Sequence, residues 1–211
     1  MPRPLIVSRV RNAATAAGIA AIAGGVAAVL LVLFFVVGQP FGTLNDVALV
    51  VETLAIGPIM LGSYELGGVT PLWPARFSLA SGITATLVWS AIHLAFIAGL
   101  ARFDYAAPAT GAFLAENIAL LVVGLWLTGA PPLAGPWLPG RLRVLGALAG
   151  LGFVVTALGL ILGPPDRPLT FAVIEWLRAA GGIAYLVVFP VWAWLMRGVF
   201  SSKATQTPRA G

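Results

Sequence analysis

Six long apolar stretches constrain the fold of this 211-residue chain more than any other feature. A helix needs about 20 mostly apolar residues to cross a bilayer. Because lipid offers no hydrogen-bond partner to a backbone, such stretches cross as helices. The sequence therefore predicts an all-α membrane protein with six transmembrane helices, at about 13–37, 46–66, 79–100, 112–130, 143–163 and 171–197.

Composition excludes a soluble fold and several kinds of chemistry. The chain is 60% hydrophobic and 9% charged, whereas average soluble domains are about 25% charged. Cysteine is absent, which excludes disulfides, thiolate metal ligands and a cysteine nucleophile. The net charge of +5 is scattered over span ends. We therefore expect membrane lipids as partners, and no nucleic acid.

Basic residues predict the orientation and the source. With the N-terminus in the cytoplasm, nine Arg and Lys fall inside and two, Arg102 and Arg167, fall outside. This bias places both termini in the cytoplasm. Eleven arginines against one lysine, with much Ala, Gly and Pro, suggest a bacterial inner membrane. The nine inner residues are Arg3, Arg9, Arg11, Arg76, Arg141, Arg143, Arg197, Lys203 and Arg209.

The connections between the spans are too short to fold alone. We expect one membrane domain over residues 1–200, whose first apolar stretch is a retained span rather than a signal peptide. A disordered cytoplasmic tail is expected over 201–211. Pro40 and Gly42 end the first helix, and Asn45 or Asp46 is predicted to cap the second.

Three spans enter from the outer side with a similar pattern. Each begins with Phe and has an amide or carboxylate four residues later. This predicts three helical hairpins in a parallel pseudo-repeat. The three pairs are Phe41 with Asn45, Phe113 with Asn117, and Phe171 with Glu175.

Small residues at four-residue spacing predict close helix packing, and prolines inside spans predict kinks. The small residues are Ala17, Ala21 and Gly25, then Gly146 and Gly150, then Gly159 and Gly163; the prolines are Pro58 and Pro190.

Polar residues in the outer half of the spans predict a functional cluster, because ionisable groups within a membrane are costly. Counted from the span ends, Glu52, His93 and Arg178 each lie seven residues deep, roughly 10 Å at 1.5 Å per residue. The candidate ligand-binding or proton-relay residues are Glu52, His93, Arg178, Glu175, Glu116, Asn117 and Asn45.

Structural roles remain open for most members. Glu175 and Arg178 can neutralise one another, and His93 can be a core histidine bonded to Ser90 or to a facing carboxylate. Asn45, Asp46 and Glu116 can be helix caps. Glu52 is deep and has no basic neighbour on its own helix, so it must pair with His93 or Arg178 or stay protonated.

Three functions fit this pattern. The first is binding or proton-linked translocation of a small polar or ionic solute, with Glu52 and His93 titrating; such a transporter is small unless it forms a homo-oligomer. The second is a structural, interaction or lipid-binding protein whose cluster only fixes helix packing. The third, a metal-dependent membrane enzyme, is disfavoured because one histidine without HExxH spacing is a poor metal ligand set. We expect no catalytic residue, metal or cofactor.

The turn Phe-Gly-Thr-Leu-Asn-Asp after a first span, with five further spans, resembles uncharacterised bacterial multispan membrane proteins of about this length. The resemblance covers residues 39–46 and the general layout. It implies no activity, cofactor or catalytic residue.

Overall fold

A computed structural model describes residues 3–68, 72–101, 111–162, 176 and 179–206, and it contains no β-strand in these ranges. Within these ranges six helices are long and apolar enough to cross a membrane, so the chain is a multi-pass α-helical membrane protein, as predicted. They are α1 Arg3–Val37, α2 Phe41–Gly67, α3 Leu72–Ile97, α4 Gly111–Gly129, α5 Gly140–Leu162 and α6 Ala179–Gln206.

The helices pack mainly against their neighbours in the chain. Helix α1 lies between α2 and α6, α2 also packs on α3, and α4 packs on α5. The contact between α3 and α4 is smaller than those of α2 with α3 and α4 with α5. The threefold repeat stays a prediction, and its third entry at 171–175 lies outside the described residues.

Several helices extend beyond the predicted spans. Helix α1 begins at Arg3 rather than near residue 13, and α6 continues to Gln206 rather than ending near residue 197. Part of the predicted disordered tail is therefore helical. Hydropathy detects only the apolar portion of a helix, whereas the backbone hydrogen bonds continue through polar turns at the membrane surface.

The connection between α1 and α2 corrects the predicted helix cap. Helix α1 ends before Gly38, whose φ of 96° is a conformation that favours glycine. Helix α2 begins at Phe41, so Asn45 and Asp46 lie in its second turn. A residue inside a helix cannot be its N-cap. Both side chains are therefore available for contacts across the bundle.

Helix α6 changes its geometry before its proline. Residues Ala184–Val188 form a π-helical turn, and Pro190 follows two residues later. Proline cannot donate a backbone hydrogen bond, and wider turns are a common adjustment beside such a gap. Helix α2, in contrast, passes through Pro58 without a break in its helical assignment.

Two of the predicted small residues on α5 allow close packing. A Cβ built on Gly150 would lie 2.5 Å from the carbonyl oxygen of Gly124 on α4. A Cβ built on Gly146 would lie 2.8 Å from Nε1 of Trp192 on α6. Gly25 on α1 has no atom within 4 Å of such a position. The four-residue spacing of small residues therefore corresponds to tight helix contacts on α5, whereas Gly25 on α1 makes no such contact.

Replacing Gly150 by Ala should destabilise the protein by about 1–3 kcal/mol, because a methyl group cannot fit against the α4 backbone without moving it. The measurement is reversible unfolding in mixed detergent micelles. Gly25→Ala is the matched control and should be neutral or slightly stabilising. Equal stability of the two variants would contradict the close α4–α5 contact.

Candidate functional site

His93 on α3 lies between two carboxylates from neighbouring helices. Its Nδ1 is 3.0 Å from Oδ1 of Asp46 on α2, and its Nε2 is 3.2 Å from Oε1 of Glu116 on α4. The His93 side chain is 2% exposed, and the two carboxylates are about 15% exposed. These residues form a carboxylate–imidazole chain that links three helices.

Helix ends explain why these three side chains meet. Asp46 and Glu116 each lie five residues after the first residue of their helix, and His93 lies four residues before the last residue of α3. At 1.5 Å per residue, all three are about 6 to 8 Å from the helix ends. The sequence-based depth of His93 was measured from Leu100, but α3 ends at Ile97. This difference raises His93 to the level of Asp46 and Glu116.

Because of Trp89, the Nε2 atom of His93 has two possible hydrogen-bonding arrangements. The Nε1–H of Trp89 donates to Nε2 of His93 over 2.9 Å, which requires that nitrogen to be unprotonated. The contact of the same nitrogen with Glu116 requires a proton on either the imidazole or the carboxyl group. Nε2 therefore has one partner, Trp89, when it is unprotonated and another, Glu116, when it carries a proton. The ring of Trp89 also packs edge-on against Phe153, which fixes its position.

Glu52 lies deeper in α2 and is 2% exposed. Its carboxyl group fits where α1 has Gly24, since a Cβ built there would be 3.0 Å from both Oε1 of Glu52 and Cγ of Pro190. It makes no hydrogen bond with the described residues, but it interacts electrostatically with His93. Its other predicted partner, Arg178, lies outside the described residues.

A cavity of about 460 Å³ adjoins Glu116 and opens to the surface of the bundle beside the exposed Phe35 and Ile183. Both Oε2 of Glu116 and Oγ1 of Thr156 on α5 are buried without a hydrogen-bond partner among the described residues. Buried polar atoms are rarely left unpaired. Glu116 and Thr156 both line the cavity, so a polar occupant would lie next to them. The polar and aromatic side chains in the wall of the cavity are those of Trp89, Phe113, Glu116, Asn117, Thr156 and Tyr185.

The other predicted residues that the structure describes form no hydrogen bond with His93: Asn117 lines the cavity, and Asn45 lies elsewhere in the bundle. Asn117 donates from Nδ2 to the carbonyl oxygen of Phe113 on its own helix, and Asn45 is buried in α2. Ser90 bonds to Thr53 of α2 rather than to His93. Glu175 and Arg178 lie outside the described residues.

The sequence pattern does not single out Asp46, Trp89 or Thr156 as members of the candidate site. Trp89 precedes His93 by four residues, a spacing at which side chains on a helix meet, so this signal was available. The sequence predicts Asp46 to be a cap because its apolar stretch begins near residue 46, whereas α2 begins at Phe41. Thr156 carries no signal in the sequence that distinguishes it from other hydroxyl residues.

The geometry of the carboxylate–imidazole chain formed by Asp46, His93 and Glu116 does not suit a metal ion. Asp46 and Glu116 face opposite nitrogens of one imidazole ring, so their oxygens do not converge. Within the described ranges no three His, Asp or Glu residues are placed to hold one. The arrangement suits proton movement through the ring instead.

The opposite end of the bundle is basic. Arg9 near the start of α1 forms an ion pair with Glu65 near the end of α2. All described Arg and Lys residues lie near the start of α1, α3 or α5, or in the last turns of α6. Apart from Glu65, the described part of the protein therefore has its acidic groups towards one end of the bundle and its basic groups towards the other.

Comparisons with protein families, with curated proteins and with solved structures found no match for the chain. The fold and the site alone define its class, which is a multi-pass α-helical membrane protein with a buried carboxylate–imidazole chain.

Proposed function

We propose that the protein binds a small polar or ionic solute in the cavity beside Glu116 and moves it in exchange for, or together with, protons. The observation that carries the proposal is the pair of unpaired oxygens, on Glu116 and Thr156, beside one cavity. Glu116 is also the last member of the carboxylate–imidazole chain. One carboxyl group therefore serves both the solute and the proton.

The carboxylate–imidazole chain can pass a proton without the movement of a helix. A protonated Asp46 gives its proton to Nδ1 of His93, and the proton on Nε2 passes to Glu116. The imidazole gains one proton and loses one, so its charge is unchanged, and the carboxyl groups exchange protonation. Trp89 stabilises the form in which Nε2 has lost its proton. Imidazole and carboxylate chains of this kind are used as proton relays within membranes.

The cavity favours a particular class of solute. An ionised Glu116 accepts hydrogen bonds, and the hydroxyl oxygen of Thr156 can accept one as well. Aromatic rings from Trp89, Phe113 and Tyr185 also line the wall, and their faces attract cations. A solute with at least one N–H or O–H donor, neutral or cationic, therefore fits best.

The location and orientation are part of the proposal. The basic end of the bundle is expected to face the cytoplasm of a bacterial cell, following the distribution of Arg and Lys. Both termini then lie in the cytoplasm, and Asp46 and Glu116 are near the outer surface.

A structural role is the alternative. Both ring nitrogens of His93 have partners, and a fully paired buried network can simply fix helix packing. In that case neither proton nor solute would cross the membrane through this protein.

Reconstitution of the protein into liposomes distinguishes the transport function from the structural role. With a pH-sensitive dye inside and an imposed pH gradient, the wild-type protein should give a proton flux that depends on a solute. Guanidinium and glycine represent an organic cation and a zwitterion, and both have N–H donors.

Tetramethylammonium is the matched control solute, because it is a cation without an N–H or O–H donor, and empty liposomes provide the background. A flux equal to that background with every solute would support the structural role.

A further inference from the structure

A groove between α1 and α6 at the basic end of the bundle carries the next inference. It has a volume of about 410 Å³ and includes two exposed arginines, Arg11 on α1 and Arg197 on α6. Thr15 and Ser201 add hydroxyl groups beside them. The groove therefore presents two positive charges and hydroxyl groups at the membrane surface.

Neither arginine pairs with a described carboxylate. The structure describes four carboxylates, and each lies beside residues other than Arg11 and Arg197. Glu65 pairs with Arg9, Asp46 and Glu116 contact His93, and Glu52 is buried beside Gly24. Two guanidinium groups that line one groove without a described counter-charge favour the binding of an anion there.

The side chain of Arg197 is held in place before any ligand arrives. Its guanidinium carbon lies 4.8 Å from the ring centroid of Trp194, a cation–π contact. Its Cδ packs where α1 has Gly18, since a Cβ built on Gly18 would be 3.2 Å away. A fixed arginine loses less entropy on binding than a free one.

The groove becomes apolar towards the middle of the membrane. On α1, Arg11 and Thr15 are followed at helical spacing by Gly18, Ile19 and Ile22, which all line it. A helix repeats every 3.6 residues, so these side chains form one stripe. A phospholipid has the same order, with an anionic headgroup at the surface and an acyl chain beneath.

We propose that this groove binds one anionic phospholipid, with its phosphate between Arg11 and Arg197 and an acyl chain along Ile19 and Ile22. The positive charges and the apolar stripe together favour a lipid over a free anion, because a free anion would contact only the charged part of the groove. The site is distinct from the cavity beside Glu116, and it stands whether or not the protein transports a solute.

Native mass spectrometry of the purified full chain tests the proposal with dioleoyl-phosphatidylglycerol as the probe and dioleoyl-phosphatidylcholine as the neutral lipid. Wild type should prefer the anionic lipid. Arg11→Gln and Arg197→Gln should each weaken its binding about five-fold, and both together about 25-fold. Arg76→Gln is the matched control, an exposed arginine at the start of α3 outside the groove, and should not change the affinity.

A second arm replaces the lipid by sodium phosphate and follows the melting temperature. No protection by phosphate is expected. Equal affinities in Arg11→Gln, Arg76→Gln and wild type would overturn the proposal, and so would protection by phosphate equal to that by the lipid. Arg11 is exposed, so its replacement gives a folded variant even if Arg197→Gln does not fold.

Discussion

Replacing His93 by Ala should lower the free energy of unfolding by about 3–5 kcal/mol, the largest stability change expected for any single site. Removing the imidazole leaves Asp46 and Glu116, which are each about 15% exposed, without their common partner. A buried charge that loses its partner costs several kcal/mol, more than the loss of packing alone. Reversible unfolding in mixed detergent micelles measures the change.

A triple variant separates charge from volume. When His93, Asp46 and Glu116 are all replaced by Leu, no unpaired charge remains, and most of the lost stability should return. A His93→Ala protein within about 1 kcal/mol of wild type would show that the carboxylates do not depend on the imidazole.

Glu116→Gln should lower the solute-dependent proton flux about 100-fold or more, which is the usual scale for losing a proton-transfer group. An amide cannot take a proton from His93, yet it can still accept a hydrogen bond from Nε2. The variant should therefore fold normally while the relay is broken. The flux is measured in proteoliposomes and divided by the amount of folded protein.

Glu65→Gln is the matched control for this experiment. It makes the same chemical change at the basic end of the bundle, where Glu65 pairs with Arg9. It should reduce stability without affecting flux per folded molecule. A wild-type flux in Glu116→Gln would exclude Glu116 from the relay, and an equal loss in both variants would indicate a general effect of charge.

Much of the fold could be predicted because transfer into lipid is a local property. About 20 apolar residues cross the membrane whatever their neighbours are, and the six spans follow from this alone. The ends of the spans were less accurate, as at Arg3 and Gln206, because polar turns at the surface carry no hydropathy signal.

The error in span ends changed the predicted site. Starting α2 near residue 46 made Asp46 a cap, and ending α3 at Leu100 placed His93 beside Glu52 in depth. In the structure α2 begins at Phe41 and α3 ends at Ile97, so His93 meets Asp46 and Glu116 instead. A shift of three to five residues is about one helical turn, which is enough to exchange one carboxylate for another.

The sequence by itself determined the environment, the six helices and the small set of ionisable residues inside them, because each depends on the cost of placing a group in lipid. Only the tertiary structure decided which of those residues touch. The partners of His93, the cavity beside Thr156 and the groove between Arg11 and Arg197 depend on the rotation and ends of separate helices. Those features follow from packing between segments far apart in the chain, which no local pattern encodes.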